Sequence, residues 1–205
     1  VPSFSRSFLD ESVAIIGAID PDSVERLATG LAAARERGGR LFILGVGGSA
    51  GHAGHAVNDF RKICGFEAYA PTDNVSELTA RINDEGWDSA YVEWLKGSRL
   101  HSADAVLVFS VGGGDSRRGV SVNLVRALEY GRRRGASLFG IVGRDGGYTR
   151  EVADACVVIP PLFEDRVTPH TEGLCSVIWH LLVSHPALMT ASTRWESLTS
   201  EAAVP

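Results

Sequence analysis

The chain has 205 residues, a formal net charge of −5 with a pI near 5.7, and a hydrophobic fraction of 44%. That size and apolar content suit one domain with a full core, and the acidic balance excludes the basic footprint of a nucleic-acid binder. Cys64, Cys156 and Cys175 are too few and too irregularly spaced for a disulfide framework or a zinc knuckle, and no apolar run approaches the ~20 residues that cross a bilayer. Residues 1–20 carry acids where a signal peptide has a basic start. A reducing cytoplasm is therefore the expected location, with no nucleic-acid and no membrane partner.

Residues 4–16 and 22–37 hold apolar side chains at helical spacing (Phe8, Val13, Ile16; Val24, Leu27, Leu31), with Pro21 and Asp22 as break and cap. They read as paired N-terminal helices within 1–38. From Leu41 onward, strands are predicted over 41–44, 68–70, 105–109, 137–142 and 155–159, alternating with helices over 49–62, 87–96, 121–134 and 147–152. A last helix runs from about Pro169 to Leu182, with Leu174, Val177, Ile178 and Leu181 on its packing face. Continuous apolar runs mark strands buried on both sides, which predicts a three-layer α/β/α sandwich around a five-stranded parallel sheet. The expected organisation is a single domain: helices over 1–38, an α/β core over 39–185 and a tail over 186–205. The short basic run Arg132-Arg133-Arg134 reads as a solvated helix face.

In such sheets ligands collect at the carboxyl ends of the strands. The first turn there, Gly45-Val-Gly-Gly-Ser-Ala50, joins a strand to a helix, and its glycines with Ser49 suit a phosphate at a helix start. The second, Ser110-Val-Gly-Gly-Gly-Asp-Ser-Arg-Arg-Gly-Val-Ser121, repeats the pattern, so Gly48, Ser49, Ser110, Gly112, Gly113 and Ser121 are candidate substrate contacts. The third, Gly143-Arg-Asp-Gly-Gly147, is expected to be mainly structural.

The titratable candidates lie on two helices. His55 and Asp59 are one turn apart on the first core helix, and Glu172 and His180 share roughly one side of the last. If these helices border the ligand edge, two imidazoles and two carboxylates converge. Such a set suits either the proton transfers of an aldose–ketose interconversion or a Zn²⁺ site of nitrogen and oxygen ligands. His52, His101 and His185 read as core or surface histidines.

The segments Gly45–Ala50, Leu78-Thr-Ala-Arg-Ile-Asn-Asp-Glu-Gly86, the loop from Ser110, Val142-Gly-Arg-Asp-Gly-Gly147 and Asp165-Arg166 together resemble the phosphoheptose isomerases of the sugar isomerase (SIS) domain family. The resemblance extends from about residue 5 to 185. It implies a flavodoxin-like five-stranded sandwich, a homotetramer with active sites between subunits, and conversion of sedoheptulose 7-phosphate to D-glycero-D-manno-heptose 7-phosphate through an enediol. It further implies acid/base roles for Asp59 and His180, Glu172 at the position of a family glutamine, and Zn²⁺ bound by His55, Asp59, Glu172 and His180 as in some members. Asp84 would contact the sugar, and Asp165 is a further substrate-binding candidate. The chain departs from the family pattern in three places. Val46 stands for an asparagine, Asp59 for a glutamate, and the phosphate loop is longer, with glycines at hydroxyl positions and an insertion holding Asp115, Arg117 and Arg118. The alternative these departures leave is a phosphosugar-binding SIS sensor or adaptor without catalysis.

Overall fold

A computed structural model describes residues 2–194. Two helices, α1 (Phe4–Ala18) and α2 (Pro21–Glu36), precede β1 (Leu41–Leu44), α3 (Gly48–Lys62), β2 (Ala68–Tyr69), α4 (Val75–Glu85) and α5 (Trp87–Gly97). There follow β3 (Ala105–Ser110), α6 (Val122–Arg134), β4 (Ser137–Val142), α7 (Gly147–Val152), β5 (Ala155–Val158), a 3₁₀ turn at Glu164–Arg166 and α8 (Val167–Ser184). The strands are parallel in the order β2-β1-β3-β4-β5, the expected three-layer sandwich. The order reverses between β1 and β3, which opens a crevice at their carboxyl ends.

Strands β1, β3 and β4 each feed two cores. Leu41, Ile43, Leu107 and Phe109 point into a cluster with α2, α3 and α8, while Phe42, Leu44, Val106 and Val108 point into one with α5 and α6. Alternate side chains thus serve opposite layers, which is why the strands read as unbroken apolar runs. Each fully buried side chain of this size stabilises the fold by ~1.5–3 kcal/mol relative to exposure.

Helix starts follow local chemistry. Asp20 caps α2, its carboxylate accepting from the Asp22 N–H at 3.0 Å, and Pro21 takes the first helical position, so the cap lies at Asp20 rather than Asp22. Helix α4 is not among the elements the sequence pattern predicts. Asn74 caps it by accepting from the Glu77 N–H at 3.3 Å, and Leu78 and Ile82, one turn apart, pack its one apolar stripe against the second core. So narrow a stripe in a polar segment gives little periodic signal.

Two packing faces differ from expectation. On α8, Leu174 and Ile178 are buried, but Val177 and Leu181 are 49% and 45% exposed, because they form a second stripe turned away from the core. On α1, Val13 is 69% exposed and Ile16 47%, and the buried residues are Ile15 and Glu11. Glu11 is buried because it is satisfied. Its carboxylate accepts from Arg166 Nε and Nη2, both at 2.7 Å, and lies 2.8 Å from His170 Nε2, while the His170 ring stacks on Phe8 at 4.3 Å. The Arg166 hydrogen bonds, and after them His170, hold the Glu11 carboxyl down at about 2. This knot ties α1 to α8.

Past α8 the expected tail is anchored at first. Arg35 donates to the Ala187 and Leu188 carbonyls, Leu188 is fully buried, and the Thr190 N–H bonds Ile63 O at 2.8 Å. Residues 195–205 of that predicted tail lie outside the described residues.

Candidate active site

Helices α3 and α8 pack side by side, and that contact assembles the titratable group. His55 Nε2 and His180 Nε2 lie 3.7 and 3.9 Å from the same Asp59 oxygen, Oδ2. Both distances exceed a hydrogen bond, so the three groups face one another across a gap. Their surroundings fix them in that pose. Asn58 Nδ2 donates to Asp59 Oδ1 at 2.8 Å, which leaves Oδ2 for the imidazoles. His180 Nδ1 lies 2.8 Å from the Ser176 carbonyl oxygen, and donating there puts the ring's lone pair on Nε2, toward Asp59. Trp179, fully buried, backs both rings, stacking on His180 at 3.5 Å between centroids and meeting His55 edge-on at 4.8 Å.

One ligand atom from each of His55, Asp59 and His180 lies within 4.8 Å of the others. Zn–N and Zn–O bonds of ~2.0–2.2 Å place ligand atoms about 3.3–3.6 Å apart in a tetrahedron, a little shorter than the 3.7 and 3.9 Å between the imidazoles and Asp59. Two imidazoles and a carboxylate are a donor set of the kind Zn²⁺ accepts. Glu172 stands outside this trio. It precedes His180 by eight residues on α8, about 12 Å along the axis at ~1.5 Å per residue. Its carboxylate lies against the first residue of α3, where a Cβ on Gly48 would come within 2.6 Å of Oε1.

The crevice between β1 and β3 forms a cleft of about 790 Å³ that holds Ser49, Ser110, Gly112, Ser121 and Glu172. Val46 also lines it while packing against the second core, so an apolar wall replaces the expected polar contact. The Gly113 N–H donates to Ser110 Oγ at 3.0 Å, which folds the loop over the strand end. Gly113 has φ +70°, and a Cβ there would collide with Gly146 O, because the loop is stitched to the next turn. Thr149 donates from both N–H and Oγ1 to Gly113 O, at 2.9 and 2.7 Å, and the Tyr148 N–H donates to Gly114 O at 2.9 Å. The turn after β4 is structural, as expected, yet its Arg144 and Tyr148 also line the cleft. Ser121 precedes α6 with φ +49° and makes no capping hydrogen bond, so its hydroxyl is not spent on the helix.

Asp84, on α4, is exposed and accepts from Asn83 Nδ2 at 2.7 Å, and Asp165 is exposed in the 3₁₀ turn; neither lines the cleft of its own chain. His101 and His185 approach Asp104 and Glu25 at 3.6 and 3.1 Å, away from the trio. Burial, and after it the Glu172 charge, pushes the Cys175 thiol up to about 12, and burial pushes Cys64 and Cys156 up to about 11. None is a thiolate nucleophile at neutral pH. Sequence reading passed over Trp179, whose one clue is its place beside His180, and over Arg144, hidden in a turn that reads as punctuation.

Residues 7–143 match the model of the SIS domain family. The chain is 31% identical over 190 residues to the lincomycin biosynthesis protein LmbN of Streptomyces lincolnensis, covering 89% of this chain and 69% of that protein. To the phosphoheptose isomerase of Trichlorobacter lovleyi it is 32% identical over 188 residues, covering 88% and 90%. Its fold superposes on phosphoheptose isomerase GmhA from Neisseria gonorrhoeae with a TM-score of 0.76, at 20% identity over 88% of this chain and 96% of that one.

Proposed function

This chain belongs to the SIS-domain phosphoheptose isomerase family, and from that premise we propose the reaction its own residues perform. It is an isomerase acting on a phosphorylated sugar. The substrate we propose is sedoheptulose 7-phosphate, converted to D-glycero-D-manno-heptose 7-phosphate. The observation that carries this reading is the convergence of His55 and His180 on one unspent oxygen of Asp59.

Ser49, Ser110, the Gly112 backbone and Ser121 hold the phosphate in the cleft, with Gly113 shaping the loop, and the carbon chain runs along α3 toward the trio. Ser49 and His55 are six residues apart, about 9 Å along the helix, so the reacting carbons lie several bonds from the phosphate. A base takes a proton from C1 of the ketose while the C2 oxygen gains one, giving the enediol. Return of a proton to C2, with loss of the C1 hydroxyl proton, completes the aldose. Without a metal, His180 Nε2, its ring held by Ser176, is placed for one transfer, and Asp59 or Glu172 for the other. In the metal-bound form His55, Asp59 and His180 would hold Zn²⁺ instead, and Glu172, which family resemblance adds to that set but which stands about two turns away along α8, would stay free for proton transfer. When bound, Zn²⁺ supplies Lewis-acid polarisation of the carbonyl and enediolate.

We assign the whole chain to a single cytoplasmic SIS domain that assembles as a homotetramer with active sites between subunits. Two observations support the assembly: the exposed apolar stripes of α1 and α8, and the position of Asp84 and Asp165 outside the cleft of their own chain, where each can serve a neighbour's site. The relation to LmbN, a biosynthesis protein, favours trying other phosphosugars as well.

The test is a coupled assay with sedoheptulose 7-phosphate on protein as isolated, after chelation and after Zn²⁺ addition. Turnover that falls on chelation and returns with Zn²⁺ establishes the isomerase and its metal together. Turnover indifferent to chelator leaves acid/base catalysis without metal. No turnover, with phosphosugar still bound, overturns the enzyme reading in favour of the sensor.

A further inference from the structure

The cleft holds more positive charge than its serines and glycines explain. Residues 115–120 form a closed hairpin in which Asp115 and Val120 exchange backbone hydrogen bonds at 2.8 and 2.9 Å. Asp115 Oδ1 also accepts from the Arg117 and Arg118 N–H groups at 2.9 and 3.0 Å, which fixes the turn. Both arginines line the cleft. Arg144 joins them from the turn after β4, its Cδ passing 3.9 Å from the point where a Cβ on Gly112 would sit, directly over the phosphate loop. It does so with φ +52°, a conformation that L residues adopt at a cost, and of the three described non-glycine residues with positive φ, Arg144 and Ser121 both flank this cleft.

Of the acids that line the cleft, only Asp115 forms an ion pair with one of these arginines. Asp115 is occupied by the hairpin backbone and by Arg118 Nε at 3.4 Å, and Asp145 Oδ1 accepts from the Gly147 N–H at 3.1 Å. Glu172 sits against the start of α3, and Glu151 borders the cleft from α7. Neither Arg117 nor Arg144 has a salt-bridge partner among the described residues. With the Glu172 carboxylate beside the first residue of α3, the start of α6, beneath the hairpin, is the more favourable end of the cleft for the phosphate, with Ser49 reaching it from the other side.

We propose that Arg117, Arg118 and Arg144 form a guanidinium clamp that closes on the substrate phosphate at the start of α6. The clamp supplies phosphate donors that this glycine-rich loop, with no side chain at Gly112, Gly113 and Gly114, cannot offer. It rests on the phosphosugar reading of the cleft. Guanidinium forks bind phosphate oxygens in pairs, and hydrogen bonds to charged groups are among the stronger ones. The hairpin arginines make phosphate affinity a property of the insertion.

The experiment measures binding of inorganic phosphate by calorimetry to the full chain, to Arg144→Gln and to Arg117→Gln/Arg118→Gln, at low and high salt. Each variant is expected to bind phosphate about tenfold or more weakly, with a shallower salt dependence, and Arg144→Lys to recover part of the loss. Phenylglyoxal labelling of the unaltered protein, mapped by mass spectrometry, should show phosphate protecting these three arginines, a readout that does not need the variants to fold. Unchanged phosphate affinity in folded variants, or no protection, overturns the clamp. Phosphate binding by the clamp in a protein that turns over no phosphosugar keeps the clamp and overturns the isomerase reading instead.

Discussion

Helix α8 carries two clusters of the same chemical kind, and their geometry separates them. Near its start, Glu11 meets Arg166 at 2.7 Å and His170 at 2.8 Å, every contact at hydrogen-bond length and His170 almost fully buried. Near its end, Asp59 meets two imidazoles at 3.7 and 3.9 Å, with both rings about half exposed. A carboxylate whose partners already touch it has no capacity left for a ligand, whereas one held a few ångströms from its partners by other contacts does. Distance and satisfaction, not residue type, distinguish a staple from a reactive centre.

The comparison fails outright if the open cluster is inert, so the largest expected effect tests that first. His180→Ala should lower turnover by about 10²–10⁴-fold with the circular-dichroism spectrum unchanged, and near-normal turnover would remove His180 from the mechanism. Next in size, saturating Zn²⁺ should raise the stability of the unaltered protein by about 2.7 kcal/mol at a hundredfold excess over Kd. Asp59→Asn should abolish that gain in a thermal melt, and an equal gain in both proteins would place the metal elsewhere. Gly113→Ala should lose about 1–3 kcal/mol in urea denaturation, since the added methyl meets Gly146 O in a left-handed backbone.

The closed cluster sharpens the contrast through pH. The Glu11 carboxyl falls from 4.5 to about 2 on folding, so its contribution to stability is fully present above pH 4.5 and is lost as pH drops through about 2. Glu11→Gln should therefore lower the denaturation midpoint at pH 7, and the gap to the unaltered protein should close as pH approaches 2. Turnover per folded molecule should hardly move. A gap that persists at pH 2 would mean that packing, not ionisation, holds the knot.

Much of this was legible in the chain. The strand runs, the glycine turns and the one-turn spacing of His55 and Asp59 are local signals, and the structure keeps them. The meeting of His180 with Asp59 depends on how α8 lies along α3, which no local pattern encodes. Glu172 and His180 share a side of α8, but helical phase gives direction and not distance, and a two-turn rise carries Glu172 to the phosphate end. Glu11 gave no sign, since its partners follow it by more than 150 residues and a lone acid among apolar positions looks like solvent-facing surface. Val177 and Leu181 misled because apolar periodicity shows that a face is covered without saying by what.

The hairpin over residues 115–120 closes on itself through the reciprocal Asp115 and Val120 bonds, ahead of the strained residue that begins α6. The chain enters and leaves it at nearly the same place, so its length and composition can change without altering the distance that the β3-to-α6 crossover must span. Such a segment is a replaceable cassette. The sheet, the stitched glycine loop and the α3–α8 contact set what chemistry is available, while the cassette can be exchanged between relatives, or by a designer, to retune which anion is admitted.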